Sequence, residues 1–520
     1  MRDDPASLVL IAGVFGGLAS PIIALILASL YSRRVRSLML NGPSPIPTRS
    51  LEASWSRLPA SGSPPSPATP YATLADNTRA QNRVLTRFAC LSLAVSTTQW
   101  AISRYFYQPA PGFLLLLVDA WPLFTLFGLV LRWHTIRLLA TVFVYQALIV
   151  AVMIIGSGRM AVLVPVLLSV CIQVSVPLCA HLAIGAHPRL RAAGPFVAPV
   201  VFLFTYSVLL ALELFSTREA DARGPYQLLF LLLIAAMVVS CWSAIFVGRW
   251  LARAYRRKMF SDLGYLFAAH WLVVLVVQAL LTPQRQGFTA ASLLLAWLWI
   301  PAAFLLSGKH LVSPDRGPST LLVLRVFGSP SNTDQIFESV VDRWRLTGNT
   351  IFVAGSDAVS RLLDPDALFD YLARSLSQRF ISCDADIRDC LAALDWQPDP
   401  DGRFRINKCY CYEHTWRLVV QTLLRKSDVV LMDLRGFNEQ RVGCRDELAM
   451  LAQATHLHGI VLLHESDAER DLAEPYVSAG PLQGRLHWVQ GKHVGSAVAR
   501  RILNHLFDAP RIAEPARRVG

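Results

Sequence analysis

The stretch Asp428–Leu434, DVVLMDL, decides the fold of the second half of this 520-residue chain. Val429 to Met432 are apolar without alternation, the pattern of a strand covered on both faces. Before it, Thr415–Lys426 carries its apolar residues at helical spacing. After it, Cys444–Ala454 reads as a helix and Gly459–His464 (GIVLLH) as a second buried strand. Strands separated by helices in this way predict a parallel sheet with helices on both faces.

Working outward, Leu321–Phe327 (LLVLRVF) predicts a strand, Asp334–Leu346 a helix and Thr350–Ala354 another strand. Asp366–Phe380 predicts a helix with Asp364 or Pro365 at its start, and an insertion-like polar stretch occupies 383–403. Phe404–Tyr412 and Arg485–Val489 predict two more strands, and Gly495–Phe507 a closing helix. Ligands of such sheets bind at the carboxyl ends of the strands. Those ends are Gly328-Ser329, Gly355-Ser356-Asp357 and Asp433–Phe437, and the loop 328–333, lying before a helix, suits a phosphate.

The run His414–Leu448, HTWRLVVQTLLRKSDVVLMDLRGFNEQRVGCRDEL, resembles the middle of a Toll/interleukin receptor (TIR) domain. The shared order is an amphipathic helix, Ser-Asp, a buried strand, a variable loop and Cys-x-x-Glu-Leu opening a helix. The step Gly443-Cys444-x-x-Glu447 also resembles the Gly-Thr-x-x-Glu step of nucleoside deoxyribosyltransferases, a related flavodoxin-like group. The chain departs from the TIR pattern in lacking a Trp before Cys444, in its first loop and in the 383–403 stretch. The resemblance implies a flavodoxin/TIR-like sheet, NAD+ as substrate with no resident cofactor, and Glu447 as the catalytic residue. A carboxylate there would stabilise an oxocarbenium-like transition state as the glycosidic bond breaks. Gly328, Ser329 and Asp433 would face the substrate, and Trp416 would stack on its base.

The residues alone leave alternatives beside each role. In the first turn of a helix opening at Cys444, Glu447 would stay ionised, and it would equally complement the helix dipole without any chemistry. Asp433 reads either as a ligand-side group or as a cap for its loop. Cys409-x-Cys411 beside His414 lacks the spacing of a zinc site; on a strand the two thiols face one way and pack as small hydrophobes, so no metal is expected. Cys444 has no evident His or Asn partner for nucleophilic work. In a reducing compartment, structural disulfides are not expected.

The first half differs in kind. The chain is 53% hydrophobic with 16% charged residues. Residues 1–308 hold 23 Lys and Arg against 9 Asp and Glu, whereas residues 309–520 hold 26 against 27. Nine apolar stretches, 7–31, 86–107, 113–131, 138–156, 160–184, 195–215, 226–248, 263–281 and 288–307, are long enough for bilayer spans of about 20 residues. Arginines concentrate in alternate loops, among them Arg33, Arg34 and Arg36, then Arg132 and Arg137, then Arg189 and Arg191, then Arg249 to Lys258. This is a topology signal rather than a nucleic-acid stripe, and it predicts an inner-membrane protein with its N-terminus outside and its C-terminal half cytoplasmic. The Arg-rich, Lys-poor composition fits a bacterial source of high genomic GC. Arg104 and Asp119, on neighbouring spans, read either as a packing ion pair or as an outward-opening proton or ligand site. His181 and His270 read as satisfied interior histidines.

The expected organisation is a transmembrane domain over 1–308 with a Pro- and Ser-rich disordered loop at about 36–80, a linker at 309–318, a TIR-like α/β domain at 319–510 and a flexible tail at 511–520. The expected function is a membrane-anchored receptor-like signalling protein. Its cytoplasmic domain would bind or cleave a nucleotide such as NAD+, or assemble with partners or a second copy through the TIR-like surface. The alternatives are a transporter or channel with a regulatory nucleotide-binding domain, and a membrane enzyme whose chemistry lies within the spans.

Overall fold

The computed structural model describes residues 5–40, 71–106, 120–131, 133, 135–157, 188–219, 226–281, 287–306, 317–325, 334–354, 363–412, 414–478 and 484–508. The chain divides into two compact units, Met1–Leu30 with Val84–Gly308 and Leu363–Phe369, and Tyr31–Arg83 with Lys309–Leu362 and Asp370–Gly520.

Helices build the first unit: α1 (Pro5–Leu40), α2 (Leu74–Phe106), α3 (Pro122–Val130), α4 (Thr135–Ser157), α5 (Pro188–Glu219), α6 (Tyr226–Arg256), α7 (Asp262–Leu281), a 3₁₀ helix at Gly287–Leu298 and α8 (Trp299–Leu306). The unit boundary falls within α1, after Leu30, and within α2, after Arg83. Phe88 of α2 packs on Phe267 of α7, and Trp271, Val274 and Leu275 are buried beside them. Two buried polar pairs lie here: Gln99 donates to Gln278, and His270 shares a 2.8 Å hydrogen bond with Thr125 under the edge of Trp121. His270 is thus a satisfied interior histidine, while His181 lies outside the described residues.

Nine spans are not supported. Among the described residues one helix, Phe230–Arg256, is long and apolar enough to cross a bilayer, and almost none of it is buried within the chain. The apolar parts Ile136–Val152, Ala193–Leu209, Asp262–Val276 and Ser292–Ala303 run only 10–17 residues, short of the about 20 a span needs. The 288–307 stretch is broken between a 3₁₀ helix and the eight-residue α8. The 160–184 stretch lies outside the described residues, as do residues 113–119 of the 113–131 stretch, whose described helix α3 is nine residues long. Arg249, Arg253 and Arg256 belong to α6 rather than to a loop.

The second unit is built on a parallel seven-stranded sheet of order β3-β4-β2-β1-β5-β6-β7. Its strands are β1 (Thr320–Arg325), β2 (Asn349–Ala354), β3 (Phe380–Ile381), β4 (Ile406–Cys411), β5 (Val429–Asp433), β6 (Gly459–His464) and β7 (Leu486–Gln490). A π-helical turn at Phe337–Val341 follows β1; after α9 (Pro365–Leu372), most of which belongs to the first unit, the helices are α10 (Asp384–Ala392), α11 (Trp416–Leu424), α12 (Val442–Gln453), α13 (Asp467–Ser478) and α14 (Ser496–Phe507).

Alternation along each strand divides the core in two. Leu322, Leu324, Ile351, Val353, Cys409, Cys411, Val430, Met432, Ile460 and Leu462 share one cluster with α11, α12 and α13. Toward the other face, Phe352 meets Phe337, and Trp344 stacks on Phe507 of α14 at 4.7 Å. Each strand from β1 to β6 except β4 is buried throughout, as a parallel sheet covered on both faces requires.

Three differences from the sequence expectation have local causes. The helix expected over Asp366–Phe380 begins as foreseen, with Asp364 accepting from the Ala367 N–H at 2.6 Å. It stops at Leu372, because Arg374 adopts a left-handed φ of 60°, and the chain continues through a 3₁₀ turn into β3. The 383–403 stretch is not merely an insertion: Cys383 caps α10 in a capping box with Asp386. The 36–80 loop is ordered at both ends, with residues up to Leu40 in α1 and Leu74 onward in α2. There Thr73 and Asp76 form a reciprocal capping box.

The segment around Tyr71 belongs to the second unit's own fabric. Ala72 N–H donates to Gly317 O at 3.2 Å, and Tyr71 Oη donates to Asp428 Oδ1 at 3.3 Å. Asn77 donates to Arg343 O and Thr347 Oγ1 and accepts from Arg343 Nε. The unit therefore extends beyond the 319–510 boundaries to include 31–83.

Candidate functional site

From β1 the sheet grows in both directions: β2 on one side and β5 on the other. The topological switch point therefore lies between β1 and β5, where a doubly wound sheet opens a crevice at its carboxyl edge. The pairing register sets Arg325, the last residue of β1, opposite Asp433, the last of β5. Both side chains are buried, and so are Arg435 and Glu447 nearby in sequence.

Asp433 is fully engaged. Arg435 donates to it twice, Nε to Oδ1 at 2.8 Å and Nη2 to Oδ2 at 2.9 Å, and the Arg435 backbone N–H adds a third bond at 3.2 Å. The remaining guanidinium nitrogen reaches Lys492 O at 3.1 Å and Gln335 Oε1 at 3.3 Å, and Gln335 also accepts from Val494 N–H. This network ties the end of β5 to the helical segment after β1 and to the loop after β7. Gly436, at φ 83°, makes the reversal that follows, and its N–H donates to Glu469 Oε1 at 2.7 Å. Of the two readings left open for Asp433, the local loop bond is the one its contacts match.

Glu447 is the opposite case. The helix α12 starts at Val442, two residues before Cys444, so Glu447 lies in the second turn and not the first. There it faces the core rather than the helix terminus, at 2% exposure, and its Oε2 has no hydrogen-bond partner among the described residues. Burial pushes its carboxyl up to about 8; the Arg325 guanidinium pulls it back, and Asp446 pushes it further up. The expectation that a helix N-terminus would keep it ionised is therefore corrected: desolvation dominates.

Two thiols share this setting. Burial raises Cys411, at the end of β4, to about 12, with the Glu447 charge adding to the effect. Cys444, one turn before Glu447, is raised by the same two causes in the same order. Both are poor nucleophiles as they stand. Trp416, at the start of α11, is partly buried against the core and lies against Gly443: a Cβ added there would meet the ring at 3.4 Å. Its ring therefore packs on the N-terminal turn of α12, with Arg417 over it at 5.4 Å.

The structure thus brings together Arg325, Asp433, Arg435 and Glu447 at the switch point, with Trp416 packed on α12's first turn at Gly443. Gly328 and Ser329 lie outside the described residues, as does Asp119; Arg104 is exposed in the last turn of α2. Arg325 and Arg435 were missed in the sequence. The available signal for Arg325 was a lone cation closing an otherwise apolar strand, since Arg is rarely buried without a task. Among the described residues no group of three or more His, Cys, Asp or Glu could hold a metal ion.

Chemically, the arrangement is a water-poor carboxyl that carries its proton near neutral pH, with a fixed cation close enough to ease its ionisation. It can give a proton, or on ionising place a negative charge where a cation develops. No family model, no curated protein and no solved structure matches the chain.

Proposed function

We propose that this chain is a membrane-anchored, receptor-like signalling protein whose C-terminal TIR-like unit binds a nucleotide such as NAD+ and cleaves its N-glycosidic bond. The observation that carries the reading is Glu447: a buried carboxyl with an unpartnered oxygen beside the β1–β5 switch point. An unsatisfied buried carboxyl costs stability, and such groups are retained where a ligand completes them. In the proposed step the bond between the ribose anomeric carbon and the pyridinium nitrogen breaks, and nicotinamide leaves with the bonding electrons. Glu447, which gives its proton to solvent as the cationic substrate binds, faces the oxocarbenium centre; water attacks that carbon and passes a proton to Glu447.

Support for the anchor comes from α6. Its apolar side chains point outward, with Phe230 at 65% and Trp242 at 70% exposure, a patch suited to lipid. Arg253 and Arg256 in the last turn of α6 favour a cytoplasmic side at that end of the span; the second unit would share that side, and self-association through the TIR-like surface would link anchor to output.

The test is NAD+ consumption by the full chain reconstituted in liposomes, beside Glu447→Gln. Turnover that disappears in the variant supports the reading. An unchanged rate in the variant, or no turnover at any protein density, removes the catalytic role and leaves an interaction module.

A further inference from the structure

Away from Glu447's own contacts, the same core cluster holds a second pair of groups that are not used by the proposed function. Cys390, in the last turn of α10, sets its Sγ 3.3 Å from the Sγ of Cys409 in β4. Cys409 is fully buried, while Cys390 is half-buried. The two come from different elements, and nothing in the helix or strand alone requires their sulfurs to meet. α10 packs on β3, the outermost strand of the sheet, so a small shift there disturbs one edge and not the whole core.

We propose that Cys390 and Cys409 are a redox modification site that closes into a reversible disulfide, with a peroxide as the oxidant. The Cys390 thiolate attacks one peroxide oxygen; the O–O bond breaks, the departing hydroxide takes a proton and leaves as water, and Cys390 becomes a sulfenic acid. Cys409 then loses its proton and attacks the Cys390 sulfur, the S–O bond breaks, and a second water leaves. Two thiols thereby lose two electrons and two protons, and hydrogen peroxide is reduced to two waters.

The order of events follows from the environments. Cys390 is the more accessible sulfur, and the hydrogen bond it shares with Cys409 favours its thiolate, holding it below the ordinary thiol range. Cys409 is raised by the same contact and by burial, so it serves as the resolving thiol. From 3.3 Å, the sulfurs need approach by only about 1.2 Å to reach bonding distance. Cys411 and Cys444, buried and held protonated, are bystanders. A transient, sensing disulfide is the kind that occurs in a reducing compartment, where structural ones do not persist.

The experiment treats the reduced full-length protein with hydrogen peroxide, blocks remaining thiols, and maps the digest by mass spectrometry without reductant. The expected product is a peptide pair joined through Cys390 and Cys409, lighter by two hydrogens and released by dithiothreitol. Iodoacetamide labelling of Cys390 in the native protein should fall about tenfold. Cys409→Ser should leave a sulfenic acid on Cys390 that dimedone captures, and Cys444→Ser should leave the cross-link unchanged. Recovery of both residues as free thiols after peroxide overturns the proposal. So does a cross-link to Cys411 or Cys444, or one between two chains.

Discussion

Two short regions at the carboxyl edge of the sheet, the turn Asp433–Phe437 and the second turn of α12, each bury a carboxyl group almost completely, at 3% and 2% exposure. They differ in what surrounds it. Asp433 accepts three hydrogen bonds from Arg435 and sits inside a network reaching Gln335, Lys492 and Val494. Glu447 has an orphan oxygen and a carboxyl raised to about 8. Burial alone therefore does not mark a candidate site; the missing partner does. A saturated acid holds loops together, whereas an unsaturated one is held ready by the loops.

The sharpest way to break this contrast is Arg435→Met. It strands the Asp433 charge in the interior, and removal of one partner of a buried pair costs about 3–5 kcal/mol. Chemical denaturation of the reconstituted protein should register that loss, and a loss below about 1 kcal/mol would mean that the network is not structural.

Glu447→Gln should act in the opposite sense, and with pH. A carboxyl whose folded value lies above its unfolded value stabilises fully below about pH 4.5, and that stability drains away as pH rises to about 8. The amide does not ionise, so the variant should gain about 3–4 kcal/mol on the parent between pH 5 and pH 8. A flat difference across that range would show that the carboxyl is not perturbed.

Arg325→Gln sharpens the comparison further. Without the cation, Glu447 ionises at higher pH, and the midpoint of the stability or turnover profile should move up by about one pH unit, worth about 1.4 kcal/mol. The Asp433 turn should be indifferent, because its counter-charge is Arg435. The smallest effect belongs to Gly443→Ala. The new methyl meets Trp416 at ordinary contact distance, and the gain in helix propensity should make the variant neutral or up to about 1 kcal/mol more stable, read by thermal unfolding.

The strands of the second unit were legible because apolar runs such as GIVLLH and DVVLMDL dominate their neighbourhoods. Gly459–His464 has the expected ends, and the other expected strands differ by one or two residues. The helices α10 and α13 were not read, since each is polar: Asp384-Ala-Asp386 and Asp467-Ala-Glu469 look like loop sequence. Their signal was capping rather than hydropathy, with Asp386 and Glu469 each accepting backbone N–H groups ahead of the helix. The sequence located Glu447 but not its state, because two extra residues at the front of α12 exchanged a terminal position for an interior one. The count of spans failed for a related reason: windows of apolar residues measure composition, and breaks such as the one before Trp299 do not alter composition.

The docking of Tyr71 and Asn77 onto residues 317–347 has a consequence for biogenesis. During synthesis Ala72 waits for Gly317 and Asn77 for Arg343, partners more than two hundred residues downstream. At about 5–20 residues per second that is a delay on the order of tens of seconds, during which the intervening helices must be made and placed. The second unit is then a late event in the life of the chain, completed by a segment that left the ribosome early and had to be kept from other partners until the sheet arrived.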